Sequence, residues 1–312
     1  MRILVVLLLI SVCLNFSQLA SSKRYLGAKT PANERYLSGR LNSSEKIVVL
    51  EIEGVIMSPM TERWEQMIDQ IEADPDVRGV VLAIDSPGGL VADSHRLYKR
   101  LVKLRETKPI YVAMGRIAAS GGYYMAMAAG PEGKVYAEEI TWTGSIGVII
   151  PRFDLSKLGE QFGVKSDSLI TGEMKDSLDP FKPLSDEDRK VWGDIIGEAY
   201  DEFVRVIDDG RPKLNTEAIK TLGDGRIYTA KQAVANGLVD EIGDQQQVID
   251  ALAKSLNLED PKVVRYEVSR SFVESLTGMQ AEVTPRDPLR QILDASVPRA
   301  MYLFGWDSEL VR

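Results

Sequence analysis

Ser120 is the side chain whose surroundings first indicate chemistry, because it lies among small residues in the stretch Ala118–Gly122. The apolar run 109–114 before it predicts a strand, and a helix is expected to begin at the serine. Gly121 and Gly122 would let backbone N–H groups approach a bound carbonyl. A tight packing corner between strand and helix explains the same residues equally well. Ser120 is therefore a candidate nucleophile that needs support from the rest of the chain.

Two further glycine-rich turns follow predicted strands, at Ser86–Gly89 and Thr143–Gly147. In a parallel sheet such turns gather at the carboxyl edge of the strands, where ligand sites form. Gly88 and Gly89, together with the N–H of Gly121, could form an oxyanion hole. The glycine spacings match neither dinucleotide nor phosphate-loop motifs, so nucleotide binding is not favoured.

The base that would activate the serine is harder to assign. His95 is the only histidine of the chain, and it lies on a predicted helix, where a lone histidine is most often a surface or boundary residue. A lysine can replace it, because burial lowers the pKa of a lysine and makes the neutral form available. Lys175 lies in a non-helical stretch, but its position alone favours an ordinary surface lysine over a base.

Composition excludes several other kinds of site. The formal charge is −8 and Lys and Arg form no runs, so nucleic acid is not an expected partner. Cys13 is the only cysteine and lies in the apolar N-terminal stretch, which excludes a disulfide and a cysteine-based metal site in the folded body. We therefore expect neither a metal nor a cofactor.

The chain divides into four predicted parts. Residues 1–22 read as a signal peptide or a membrane anchor, with cleavage after Ser22 slightly favoured, so the body is expected outside the cytoplasm. Residues 23–45 resemble a flexible linker. Residues 46–263 form the predicted enzymatic domain, and residues 264–312 form a C-terminal extension of unknown role.

Within that domain strands and helices alternate, which predicts an α/β fold with largely parallel pairing. We also expect a short strand at 168–170 and a long capped helix from Ser185 to about 209. The apolar stripe of this helix fits core better than a partner surface. The apolar cluster 301–306 is expected to dock on the body or on a neighbouring subunit.

Five motifs in this order resemble those of the signal peptide peptidase A (SppA) family, and the resemblance covers residues 46–256. The motifs are Asp85–Gly89, Ala118–Tyr123, Thr143–Gly147, Gly172-x-x-Lys175-Asp176, and Gly225–Thr229 with Ala233–Asp240. The resemblance implies the ClpP/crotonase-type fold, a superhelix of ββα units with largely parallel sheets and a long helical segment. The length fits the short, single-unit form of the family.

The resemblance also implies roles for single residues. Ser120 matches the nucleophile, Lys175 the general base, and Ser145 a hydroxyl that orients the lysine. The oxyanion positions that it implies are Gly121 and Gly89, or less closely Gly88.

In this family the serine and lysine of one site come from different subunits, so the resemblance implies a ring-like homo-oligomer of about eight subunits at the membrane. The expected activity is a serine endopeptidase, on the extracytoplasmic side, that degrades remnant signal peptides or other small hydrophobic peptides. Two alternatives stay open: a crotonase-like acyl-CoA enzyme and a catalytically inactive membrane scaffold.

Overall fold

The structure is a computed structural model that describes residues 11, 33–267 and 300–304. The predicted signal or anchor segment falls almost wholly outside the described residues. Most strands of the described part join one nine-stranded sheet in the order β1-β10-β2-β3-β5-β6-β9, with β7 beside β5 and β8 beside β7. Their bounds are β1 Asn33–Ser38, β2 Lys46–Glu53, β3 Val77–Ser86, β5 Ile110–Ala119, β6 Val135–Ala137, β7 Trp142–Gly144, β8 Ile227–Thr229, β9 Glu241–Ile242 and β10 Lys262–Glu267.

Pairing in this sheet is parallel except at β1–β10 and β7–β8, which confirms the predicted α/β fold. A separate two-stranded ladder joins β4 (Gly88–Leu90) to β11 (Met301–Leu303). The α-helices of the described residues are α1 Met60–Ala73, α2 Val91–Arg105, α3 Gly121–Ala126, α4 Ser156–Phe162, α5 Asp186–Gly210, α6 Thr216–Leu222, α7 Ala230–Ala235 and α8 Gln245–Ser255.

The sheet is buried on both faces, which explains why its central strands read as almost continuous apolar runs. In β3, Leu82 and Ile84 belong to the larger core beside α1, α2 and α3, whereas Val81 belongs to a smaller core with Leu252 of α8. Successive side chains of a strand point to opposite faces, so one strand supplies both cores.

The structure corrects two predicted segments. Asn33–Ser38, predicted as linker, forms β1 and pairs antiparallel with β10, so the sheet itself continues to Glu267. Its side chains are mostly exposed, so the sequence carried no apolar pattern to reveal the strand. The structure shows no strand at 168–170, where one was predicted: Leu169 and Ile170 are exposed, and no strand in the described part of the chain pairs with them.

Helix α5 begins with the predicted capping box, in which Ser185 and Asp188 bond each other's backbone N–H groups. Its apolar stripe divides into two parts. Phe203 and Ile207 are fully buried, whereas Ile195 in the first half is exposed. The prediction of core packing is therefore correct only for the second half of the helix.

Across the described ranges, no helix combines the length and the hydropathy that a membrane crossing requires.

Candidate active site

Ser120 lies at the corner between β5 and α3, with φ +55° and ψ −116°. Left-handed φ values are uncommon for residues with a side chain and are concentrated at functional sites. The corner is held from both sides, since the Ser120 N–H donates to the Gly144 carbonyl at 2.8 Å and the Tyr124 N–H donates to the Ser120 carbonyl at 2.8 Å. Ser120 is fully buried, and its Oγ has no hydrogen-bond partner among the described residues. The strained corner holds the hydroxyl in a fixed position, and the Oγ is left able to donate a hydrogen bond to a base from elsewhere.

The three glycines expected at the oxyanion hole come together beside this corner. Gly88 has φ +101°, and a Cβ on Gly121 would lie 3.2 Å from the Gly88 Cα and 3.2 Å from the Gly89 nitrogen. Only residues without side chains allow the two segments to approach so closely. The N–H groups of Gly89 and Gly121 thus lie near each other, as donors to one carbonyl oxygen must.

Ser145 follows β7, the strand whose Gly144 carbonyl binds the Ser120 N–H. It also has a positive φ, +48°, and its N–H donates to the Arg226 carbonyl at 2.8 Å. The Thr143 Oγ1 donates to the Ala118 carbonyl at 2.7 Å, which ties β7 to β5 next to the corner. The structure therefore brings Ser145 to the neighbourhood of Ser120.

Lys175 makes no hydrogen bond with the Ser120 hydroxyl within the described part of the chain. It lies in a short 3-10 turn, Glu173–Asp176, and is exposed. Since the Ser120 Oγ has no hydrogen-bond partner among the described residues, the Lys175 Nζ does not contact it there. The described part of a single chain thus brings Ser120 and the candidate oxyanion glycines together without the expected base.

His95 has a different role from a catalytic base. Its Nδ1 lies 2.7 Å from the Tyr124 hydroxyl and 3.5 Å from the Glu202 Oε1. Burial lowers the pKa of His95, and the attraction of Glu202 offsets this only in part. The residue lies at a boundary between α2, α3 and α5, as expected for a lone helix histidine.

Two residues near the corner were not identified from the sequence. The Ser94 Oγ is buried without a partner among the described residues, and a Cβ on Gly121 would lie 2.6 Å from it. A serine on a helix face carries no signal of such a contact. Tyr302 in β11 lies against Gly88 and Gly89. The apolar cluster 301–306 did indicate docking on the body, and its described part does so.

No cluster of metal-ligating side chains occurs in the described ranges. A polar cleft of about 300 Å³, lined by Glu53, Asp85, Arg265 and others, contains none of the predicted site residues.

Comparison with known proteins gives the family. The model of "Peptidase family S49" matches residues 102–259. A "Putative signal peptide peptidase SppA" of Enterococcus faecium is 36% identical over 286 residues, which cover 84% of this chain and 82% of that protein. "Serine protease SPPA, chloroplastic" of Arabidopsis thaliana is 29% identical and matches 87% of this chain but 41% of its own length.

"Protease 4" of Salmonella typhi is 30% identical over 85% of this chain and 45% of its own length. The matched part of this chain thus corresponds to less than half the length of each of these two relatives. Together with the parallel sheet, these matches show that the chain is a serine peptidase of ClpP/crotonase-like fold and belongs to peptidase family S49, the SppA family.

Proposed function

We propose that Ser120 and Lys175 form a Ser/Lys dyad. Ser120 Oγ attacks the scissile carbonyl carbon while Lys175, in its neutral form, takes the hydroxyl proton and passes it to the departing amine. Water then hydrolyses the acyl-enzyme. The N–H groups of Gly121 and Gly89 stabilise the oxyanion, and Ser145 orients the lysine. The observation that carries the proposal is the strained, buried corner at Ser120, whose hydroxyl has no partner among the described residues.

The lysine comes from a neighbouring subunit in this proposal. Lys175 does not contact Ser120 within the described chain. It lies in the segment 149–195, which carries ten of the fifteen exposed large hydrophobic side chains of the described residues. Exposed apolar surface of this extent is typical of protein interfaces. A ring of about eight copies would cover this segment and complete every site with the lysine of the adjacent copy.

The proposed substrates are remnant signal peptides and other small hydrophobic peptides, cleaved on the extracytoplasmic side of the membrane. The name of the Enterococcus faecium relative supports a signal peptide substrate. The apolar run of residues 3–14 supports export, followed by cleavage or by anchoring.

The decisive test mixes two inactive variants. Ser120→Ala and Lys175→Ala should each abolish cleavage of a leucine-rich peptide, because one lacks the nucleophile and the other the base. If sites are shared, random co-assembly of the two variants restores complete sites at about a quarter of the positions. Peptidase activity is measured after denaturation and joint refolding, and assembly is checked by light scattering.

Lys254→Ala is the matched control, since Lys254 is an exposed lysine of α8, outside both the predicted dyad and the segment 149–195. It should retain wild-type activity. Peptide cleavage by an assembled Ser120→Ala protein would disprove the role of Ser120 as nucleophile. Full activity of Lys175→Ala would disprove the role of Lys175 as general base. Absence of rescue in the mixed assembly would show that serine and lysine act within one chain.

A further inference from the structure

A second buried hydroxyl lies beside the candidate oxyanion hole, on Ser94 of α2. The residue is fully buried, and its Oγ has no hydrogen-bond partner among the described residues. A buried hydroxyl without a partner costs folding free energy, because the hydrogen bonds that water gave it in the unfolded chain are not replaced. Folding alone therefore gives no reason for a hydroxyl at this position.

The location of Ser94 on α2 favours an apolar residue. Ser94 begins the buried face of this helix, whose other members are Leu97, Tyr98, Leu101 and Leu104. A serine within a helix often donates to the carbonyl three or four residues before it, but the Ser94 Oγ makes no such bond. The hydroxyl is thus not used by the helix that carries it.

The Ser94 Oγ lies against the backbone of one candidate oxyanion donor. A Cβ on Gly121 would lie 2.6 Å from this oxygen, and the same Cβ would lie 3.2 Å from the Gly89 nitrogen. Gly121 leaves room for the hydroxyl only because it has no side chain. The unpartnered oxygen is therefore next to Gly121 and close to Gly89, the two residues whose N–H groups are expected to bind a carbonyl oxygen.

The β4 side of the site is held in place without Ser94. The Ile56 N–H donates to the Gly88 carbonyl at 2.9 Å, and the Leu90 N–H donates to the Ile56 carbonyl at 2.9 Å. The Ser94 hydroxyl takes no part in these bonds, so its hydrogen is free to turn about the bond between Cβ and Oγ. A hydroxyl in this state can direct its hydrogen toward a negative charge that develops nearby.

We propose that Ser94 supplies a rotatable hydroxyl dipole to the oxyanion hole. When Ser120 attacks, negative charge develops on the carbonyl oxygen that the Gly89 and Gly121 N–H groups bind, and the Ser94 O–H turns its positive end toward that charge. Such a dipole stabilises the transition state more in a buried site of low dielectric constant than it would in water. The hydroxyl keeps its proton throughout. The inference rests on the proposed function, since it requires an oxyanion at these two glycines.

The first experiment measures peptide hydrolysis by the assembled, full-length Ser94→Ala and Ser94→Cys enzymes. Ser94→Ala should lower kcat by about tenfold and leave KM nearly unchanged, because the dipole acts on a charge that is present only in the transition state. Ser94→Cys should have an intermediate kcat, since a thiol is a weaker donor than a hydroxyl. The rate of labelling by a fluorophosphonate should fall in the same order. A wild-type kcat for Ser94→Ala would overturn the inference.

The stability of Ser94→Ala separates this role from a purely structural one. The variant removes a hydroxyl that has no partner among the described residues, so it should unfold at the same urea concentration as wild type or at a higher one. A residue that only supports packing would lose stability and activity together. A lower unfolding midpoint for Ser94→Ala would therefore contradict the proposed dipole.

Thr61→Val is the matched control, because it removes a hydroxyl of the same kind at another place. Thr61 of α1 is fully buried, and its Oγ1 also has no partner among the described residues. It is not among the atoms nearest to a Cβ at Gly88, Gly89 or Gly121. Thr61→Val should keep the wild-type kcat and should not be less stable. If it lowers kcat as much as Ser94→Ala does, the assigned dipole is wrong.

The same assays distinguish failure of this inference from failure of the proposed function. If an assembled Ser120→Ala enzyme is inactive while Ser94→Ala cleaves the peptide with the wild-type kcat, only the dipole inference fails. If the assembled Ser120→Ala enzyme still cleaves the peptide, both fail.

Discussion

At the scale of single residues, the site depends on two backbone positions as much as on the serine hydroxyl. Ser120 adopts a φ of +55°, and Gly121 allows Ser94 and Gly88 to approach without a side chain between them. The hydrogen bond from the Ser120 N–H to the Gly144 carbonyl stabilises the strained backbone conformation of Ser120. The proposed oxyanion donors and the proposed nucleophile are thus held in place by the same packing.

Gly121→Ala should therefore impair catalysis although it adds one methyl group. The new Cβ would lie 2.6 Å from the Ser94 Oγ and 3.2 Å from the Gly89 nitrogen, so the two donors must separate. Loss of an oxyanion donor lowers kcat by about 100-fold to 1,000-fold. Peptide hydrolysis and the rate of labelling by a fluorophosphonate measure the effect.

Gly115→Ala, in the strand β5 that leads to Ser120, is the control, because a Cβ there would make an ordinary contact of 3.4 Å with Asp85. The Gly115→Ala enzyme should react with the fluorophosphonate and hydrolyse the peptide at nearly the wild-type rates. A Gly121→Ala enzyme that is folded and reacts as fast as wild type would contradict the assigned oxyanion hole.

The sequence was informative about this site because its signals are local. Glycines next to Ser120, and at 88 and 89, can be recognised in a short window of residues. Ser94 and Tyr302 could not be assigned, since the first is an ordinary helix serine and the second is distant in sequence. Contacts made by tertiary packing leave no pattern in the neighbouring residues.

At the scale of secondary structure, an ion pair joins the C-terminal end of α5 to the sheet. Both terminal nitrogens of Arg211, which follows α5, donate to Asp240 at 2.8 and 2.9 Å, and the Arg211 Nε donates to the Gly237 carbonyl at 3.0 Å. The Val135 N–H of β6 also donates to Asp240. Arg211 is only 8% exposed, so the pair is largely removed from water.

Asp240→Asn should destabilise the fold by about 2–3 kcal/mol, because it leaves the buried guanidinium without its counter-charge. Burial raises the pKa of Asp240, but the hydrogen bonds from Arg211 and Val135 lower it by more, so the pKa in the folded protein lies below the ordinary 3.8. The ion pair therefore contributes its full stabilisation above pH 3.8, and this stabilisation is lost as the pH falls through the pKa of the folded protein. Urea unfolding of both proteins at several pH values measures this difference.

Asp224→Asn is the matched control, since the ion pair of Asp224 with Arg226 is on the surface and contributes little. A stability difference between wild type and Asp240→Asn that stays constant below pH 3.8 would contradict the ion-pair explanation.

The same scale shows how far the fold could be predicted. Helix α1 was predicted because Trp64, Ile68 and Ile71 follow the helical period, and all three are buried. Strand β1 was missed because its side chains are mostly exposed and its partner β10 lies more than two hundred residues away. The hydrophobic periodicity of a segment indicates which of its faces is buried. An edge strand whose two faces are both exposed has no such periodicity.

At the scale of the whole molecule, the segment 149–195 has a surface that one chain does not cover. Its exposed apolar side chains include Leu158, Phe162 and Ile195, and the same segment carries Lys175. The core of the fold is complete without it, since the two cores consist largely of residues outside this segment. The proposed interface between copies would explain both the exposed apolar surface and the separation of Lys175 from Ser120.

Phe162→Asp should therefore break the assembly and abolish peptidase activity together. Phe162 ends α4 and is 72% exposed, so the change should not affect the stability of a single chain, whereas burying a carboxylate between subunits is costly. Light scattering should show a smaller particle, and activity should fall more than about tenfold. Leu41→Asp, at a 61% exposed leucine outside the segment, should leave both unchanged. A fully active Phe162→Asp monomer would show that one chain completes the site, because no neighbour could then supply the lysine.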